Sequence, residues 1–198
     1  MGIVFGKTGV SEPAYDVITV QKGYEIRSYG PRVAITTPCD LDNTSFMSLA
    51  SYIGVTRSPQ NTKSESISMT APVVKSPSPP GGIGGPPTMS FILPAKYDKV
   101  EKAPAPTDPN VAVVALPPAY GAVSSFSGRC GPSVAASRHE DLLAMLGSDG
   151  VQAGGAKWEL WQYNPPFTIP WMRRNEVFVE LSREQAEGIK ERAGGGEE

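Results

Sequence analysis

The stretch Ser66-Ile67-Ser68-Met69-Thr70-Ala71-Pro72-Val73-Val74, read with the apolar segment Thr44 to Ile53 before it, constrains the fold most. Alternation puts Ile67, Met69 and Ala71 on one face of a strand and Ser66, Ser68 and Thr70 on the other. Pro72 has no N–H to give to a ladder, so the strand is an edge or breaks there. In the earlier segment Phe46, Leu49, Ala50 and Ile53 recur at i, i+3, i+4 and i+7, the stripe of a helix with one apolar side. The nearest surface for that stripe is the apolar face of the strand. A gap between the two would be walled by Phe46, Met47, Ile67 and Met69 and would suit a flat apolar molecule.

A chain of 198 residues can build one domain with a sizeable core. Net charge is −2 with no block of like charges, which speaks against nucleic acid and anionic membrane as partners. No apolar run approaches the ~20 residues that span a bilayer, so no stable membrane insertion is expected. The start, Met1 to Lys7, lacks the basic and long apolar regions of a secretory signal. Gly6 stands where N-myristoylation wants Ser or Thr. Cytoplasm is the default location, and a monomer is expected. Cys39 and Cys130 show no CxxC or zinc spacing and read as two free thiols of a reducing compartment.

Residues 1–12 read as an arm, 13–181 as a single domain and 182–198 as a C-terminal helix with a disordered tail. Tyr15 to Val20 alternates as a first strand, Gly23 turns the chain, and Tyr24 to Tyr29 forms a second. Gly30-Pro31 interrupts that strand, and Val33 to Thr37 continues it. The helix Thr44–Ile53 follows, capped by Asn43 or Thr44 and stopped by Gly54. After Val74, residues 75–88 are a Pro/Gly-rich run expected to be a flexible loop, before a strand at Met89 to Leu93. Residues 95–110 form a polar connector. Val111 to Leu116 and Ala122 to Ser127 predict a hairpin around Pro117-Pro118-Ala119-Tyr120-Gly121. A helix is expected over Ser133 to Leu146, with Pro132 ahead of it and Gly147 as its stop. Strands at Lys157 to Tyr163 and Asn175 to Leu181 and a helix at Ser182 to Arg192 complete the chain. The order hairpin, helix, hairpin occurs twice, which predicts an α+β fold: a twisted antiparallel sheet or barrel flanked by two helices.

Catalytic motifs are scarce. His139 is the only histidine, which excludes a two-histidine metal site, and it lies on the flank of an apolar helical stripe as a packing residue would. There is no Walker loop, GxGxxG or GxSxG, so no enzyme activity is expected. The segment Asn164-Pro165-Pro166-Phe167-Thr168-Ile169-Pro170-Trp171-Met172-Arg173-Arg174 is unusual for a loop. Phe167, Ile169 and Trp171 must cover core or meet a ligand. Arg173 and Arg174, with Arg27 and Arg57 less directly, could pair with carboxylates, unless Arg174 is tied to Glu176 or Glu25. A flat apolar molecule with carboxylates would use both parts, and porphyrin is one.

Tyr24-Glu25-Ile26-Arg27-x-Tyr29, the Phe46 to Gly54 helix ending Tyr52-Ile53-Gly54, Met69-Thr70-Ala71-Pro72-Val73 and Arg174-Asn175-Glu176-Val177 resemble the SOUL family of haem-binding proteins in residues and in order, over about Pro13 to Leu181. The start of the chain and the 164–170 loop look most like its short cytosolic plant and green-algal members. The resemblance implies a distorted antiparallel β-barrel of about eight strands flanked by two helices, with a pseudo-twofold relation between halves. It also implies non-covalent binding of haem or other tetrapyrroles such as protoporphyrin IX, without a reaction. The binding residues it implies are Phe46, Met47, Ala50, Ser51 and Gly54 on one side and Phe167, Thr168, Trp171, Met172 and Arg173 on the other. Ser28 stands where some members offer an axial histidine, and Ser51 where some carry a lysine that meets a propionate. Hydrophobic binding with little or no ligation of iron is therefore expected, with Met47 or Met172 as the available soft donors. The functional reading is a tetrapyrrole carrier, buffer or scavenger. The alternative is a ligand-sensing or protein-interaction module of the same fold.

Overall fold

A computed structural model describes residues 9–39, 44–77 and 86–194 of the chain. It divides into two compact units. The central unit comprises Thr8–Pro13 and Pro31–Pro117, and the terminal unit Met1–Lys7, Ala14–Gly30 and Pro118–Glu198. Among the described residues there are nine strands and three α-helices, an α+β composition in which the strands of each unit pair antiparallel.

The central unit contains β3 (Arg32–Pro38), α1 (Thr44–Ile53), β4 (Val73–Ser76), β5 (Thr88–Ile92) and β6 (Ala112–Leu116), with strand order β4-β5-β3-β6. The terminal unit contains β1 (Tyr15–Gln21), β2 (Tyr24–Tyr29), β7 (Ala119–Phe126), α2 (Pro132–Ser148), β8 (Trp158–Gln162), β9 (Asn175–Leu181) and α3 (Arg183–Gly194), with order β1-β2-β7-β9-β8. The same plan appears twice. A strand, a helix and two further strands run β3-α1-β4-β5 in one unit and β7-α2-β8-β9 in the other. Each plan takes its remaining strand from the chain just before the other: β6 completes the sheet of β3, and β2 that of β7.

That exchange corrects two expectations. Residues 33–37 do not continue β2; they pair with β5 and β6. Val111 to Ser127 is not a hairpin, because β6 pairs with β3 while β7 pairs with β2 and β9. Both crossings are marked by proline, at Gly30-Pro31 and Pro117-Pro118. Proline withholds the N–H that a continuing ladder would need, and at both places the chain passes from one unit to the other.

The opening stretch is also less of a strand than its alternation suggests. Ile67 is buried, Ser66 and Ser68 are exposed and Met69 is half-buried, as the alternation requires, but Thr70, expected beside the two serines, is buried, and the ladder begins only at Val73. The Ala71–Pro72 peptide is cis. The backbone before it is held piecemeal: the Ile67 N–H donates to the Ile53 carbonyl at 3.0 Å and the Ala71 N–H to that of Ser11 at 2.9 Å. The Thr70 hydroxyl donates to the Ile92 carbonyl. So Ile67 is tied to the last turn of α1 and belongs, with Leu49, Ala50, Tyr52 and Ile53, to the apolar core of this unit.

The second core gathers Tyr24, Ile26, Ala122, Leu142, Leu146, Val177 and Val179 with Ala186 and Ile189 of α3. The C-terminal helix is therefore a core element on one face. Its start is a capping box, Ser182 Oγ accepting from the Gln185 N–H and Gln185 Oε1 from the Ser182 N–H. Helix α2 begins with Pro132 in its first turn but runs past Gly147 to Ser148. The left-handed residue that ends it is Gly150, at φ +77°. Asn43, most of the 75–88 run, the first eight residues and residues 195–198 lie outside the described residues.

Candidate functional site

Ten residues from two parts of the sequence are expected to hold a ligand. On α1, six of ten residues are buried: Ser45, Leu49, Ala50, Ser51, Tyr52 and Ile53. Ala50 is only 1% exposed and faces the core. Phe46 is half-buried, its ring edge-on to Phe91 at 5.3 Å. Gly54 ends the helix at φ +83°, and a Cβ there would lie 2.6 Å from Pro59 Cγ. Of the five, Met47 is the exposed one, at 38%.

Ser51 carries the local polar structure. Its hydroxyl donates to the Met47 carbonyl at 2.6 Å and accepts from Arg57 Nε at 2.9 Å, with Thr56 Oγ1 at 3.4 Å. Ser51 is 3% exposed, so the guanidinium of the exposed Arg57 is laid against the helix by a buried oxygen. Val55 beside it is exposed as well. Neither Val55 nor the Arg57–Ser51 bond is evident from sequence; the six-residue spacing places them together only because Gly54 turns the chain back.

The 164–174 loop belongs to the terminal unit. It is held from within: the Thr168 N–H donates to the Pro165 carbonyl, the Met172 N–H to that of Ile169, and the Gly128 N–H to that of Pro170 at 2.9 Å. A short 3-10 turn covers Pro170–Met172. Arg173 clasps the loop, Nε donating to the Thr168 carbonyl at 2.8 Å and Nη2 to that of Pro166. Asn164 Oδ1 accepts from the Arg174 N–H at 2.7 Å. These bonds turn Thr168 inward, 1% exposed, while Phe167 and Trp171 stand out at 67% and 71% with Met172 beside them. Ile169 is half-buried. Three apolar side chains are thus displayed on a braced loop, where collapse onto the core would have been the cheaper arrangement.

Arg27 and Arg174 are committed internally. Arg27 is buried and bonds Glu176 with Nη1 at 3.0 Å and Nη2 at 3.3 Å, while its Nε reaches Glu25 at 2.8 Å. Its guanidinium also lies 4.3 Å from the centre of the Tyr15 ring. Burial works against that charge, but the bonds to Glu176 and Tyr29 outweigh it and raise the arginine's pKa. Glu176 takes further bonds from Tyr163 Oη at 2.6 Å and Ser125 Oγ at 3.0 Å. Burial first, and then this carboxylate, push the Tyr163 hydroxyl far up. Arg174 stacks on Tyr163 at 3.4 Å, its Nε 3.9 Å from Glu176, so its expected tie to Glu176 is present while Glu25 belongs to Arg27. Of this buried cluster only the Arg174–Glu176 tie was legible in the sequence.

His139 stacks on Trp158 with ring centres 4.4 Å apart, and its buried Nε2 has no hydrogen-bond partner. Burial lowers its pKa against the opposing pull of Glu140. It is a packing histidine. Among the described residues no cluster of three His, Cys, Asp or Glu side chains could hold a metal, and Cys39 and Cys130 are half-buried and form no disulfide. No helix among them is long and apolar enough to cross a membrane.

The family model described as SOUL heme-binding protein matches residues 10–180, and the chain belongs to that family. No protein of curated function matches the sequence. Several solved structures share the fold at low identity. An uncharacterized conserved protein from Listeria innocua is 11% identical, with TM-score 0.53 over 82% of this chain and 93% of its own. The C-terminal domain of EcmrR is 10% identical, with TM-score 0.51 over 85% and 98%. A protein from Listeria innocua described as a hydrolase is 12% identical, with TM-score 0.51 over 82% and 93%. These likenesses concern the fold alone.

Proposed function

We propose that this protein binds haem and iron-free tetrapyrroles non-covalently, without a reaction of its own, as a carrier or buffer of a poorly soluble pigment. The observation that carries this reading is the braced loop with Phe167 and Trp171 exposed, in a chain of the haem-binding SOUL family. Aromatic faces and a thioether suit the flat apolar body of a porphyrin. On the terminal unit the ring contacts would be Phe167, Trp171 and Met172; the central unit, taken by itself, offers Met47 and the edge of Phe46 as a surface of the same chemistry. Ala50, Ser51 and Thr168, each 3% exposed or less, would act by supporting those residues. When bound, haem supplies an iron whose axial chemistry depends on the ligands it is given. The residues fit the porphyrin better than the iron, since the one imidazole is engaged in a stack and Ser28 stands in the Tyr24–Tyr29 strand. Protoporphyrin IX should therefore bind nearly as tightly as haemin.

Titration of the protein with each pigment, followed by the shift of the Soret band and by quenching of tryptophan emission, tests this. Trp171→Ala and Phe167→Ala should each weaken binding by about 1–3 kcal/mol while leaving the unfolding midpoint in place, because both rings are exposed in the folded chain. Wild-type affinity in both variants, or a strong preference for haemin over the iron-free ring, would count against the assignment.

A further inference from the structure

We infer that Arg57, held in position by Ser51, is the residue of this chain that pairs with the carboxylate of a ligand bound against α1. The inference rests on the tetrapyrrole reading above and adds the group that recognises the propionate.

The geometry is specific. The Oγ of Ser51 is anchored by donating to the Met47 carbonyl one turn back, which leaves its lone pairs for the Arg57 Nε–H. Binding through Nε fixes the plane of the guanidinium. It leaves the two terminal nitrogens, with four N–H groups in a fork that matches a carboxylate. Among the described residues, no Asp or Glu oxygen lies within ion-pair distance of Arg57. This separates it from Arg27, bound by Glu25 and Glu176, and from Arg173, bound to loop carbonyls.

Two exposed apolar residues, Met47 and Val55, lie near Ser51 and Arg57 in the chain. Met47 lies one turn before Ser51 on the same side of the helix and is 38% exposed. Val55 is 58% exposed, although the corresponding residue after α2, Val151, is 5% exposed and part of the terminal core. The two glycine turns share the same backbone bond, Val55 N–H to Ala50 carbonyl and Val151 N–H to Leu146 carbonyl. The turn therefore does not force the valine outward. A ready guanidinium flanked by an exposed thioether and an exposed valine presents charge and apolar surface together, the pairing that an amphiphilic acid requires.

The experiment compares protoporphyrin IX with its dimethyl ester, both delivered in the same mild detergent, on wild type, R57A, R57K and S51A. The free acid should bind wild type at least about tenfold more tightly than it binds R57A, in line with the strength of charge-assisted bonds. R57K should retain part of the affinity. S51A should fall between wild type and R57A, because the charge remains but is no longer held. The ester should bind wild type and R57A alike. Free-acid affinity unchanged in R57A, or an ester that is equally sensitive to the substitution, overturns the inference while tetrapyrrole binding stands. Absence of porphyrin binding by wild type overturns both. Far-ultraviolet circular dichroism and unfolding midpoints of the variants distinguish loss of the contact from loss of the fold.

Discussion

The two units follow one plan and satisfy it by different chemistry. In the central unit the helix is almost submerged, with six of ten residues of α1 buried, and its polar groups are answered by backbone. Tyr52 Oη donates to the Pro104 carbonyl at 2.7 Å, and Asn61 bridges the carbonyls of Tyr52 and Glu65. In the terminal unit α2 buries three of its seventeen residues and lies over the sheet as a surface helix. That unit instead encloses an ion pair, Arg27 with Glu176, among the rings of Tyr29, Trp161 and Phe178. The lesson is that topology sets where strands and helices go, while each unit closes its own core. Positions that differ between units without a need of the fold, such as Val55 against Val151, are the places to look for function.

The largest test of that contrast is removal of the buried charge. Arg27→Ala leaves the Glu176 carboxylate, 2% exposed, without its main partner and should cost about 3–5 kcal/mol in urea unfolding. The double replacement R27M/E176L should recover most of the loss, since two apolar side chains need no partner. If the double variant is as unstable as the single one, the pair supports more than its own burial.

The glycines that end the two helices give the next test. Both are left-handed, Gly54 at φ +83° and Gly150 at φ +77°. A Cβ at Gly150 would meet nothing within 4 Å, so Gly150→Ala should cost about 1–2 kcal/mol of backbone strain. At Gly54 it would lie 2.6 Å from Pro59 Cγ, which adds about 1–3 kcal/mol of overpacking. Equal losses in thermal unfolding would mean that the Pro59 segment yields freely.

Smaller effects separate the units further. Tyr52→Phe leaves the Pro104 carbonyl without its buried donor and should cost about 1 kcal/mol. Burial also pushes the Tyr52 hydroxyl up to about 12, so its absorbance should titrate well above that of an exposed phenol. The terminal unit should carry a weak acid sensitivity through His139. Its folded pKa lies below the ordinary value of about 6.5, so below that pH the unfolded chain binds more protons and stability falls as pH drops. Replacement by Gln should flatten the thermal midpoint between pH 7.5 and the folded pKa, and an unaltered pH profile would show that His139 does not carry it.

Much of the architecture was legible. The period of Phe46, Leu49, Ala50 and Ile53 located α1 to the residue, with Gly54 as its end, and the alternations located eight of the strands closely. Pairing was not legible, because a strand's pattern says which face is buried and nothing about its neighbour. The exchange of β2 and β6 between plans is therefore invisible in sequence, although the prolines at 31 and 117–118 mark where it happens. For the site, the loop's exposed aromatic residues follow from their odd composition. Glu176 was legible as a partner of Arg174, but the Arg27–Glu176 and Arg57–Ser51 pairs were missed, since they are chosen by register and by a turn.

What the sequence determined by itself is the set of elements, the family, and a loop too apolar to be idle. What tertiary structure alone decided is the use of each charge. Arg27 and Arg57 are the same side chain in the sequence; one is buried against Glu176 because β2 and β9 both lie beside β7, and the other is laid along α1 with its fork outward because Gly54 reverses the chain. Burial and partner are properties of a place in space, and only the folded chain assigns the place.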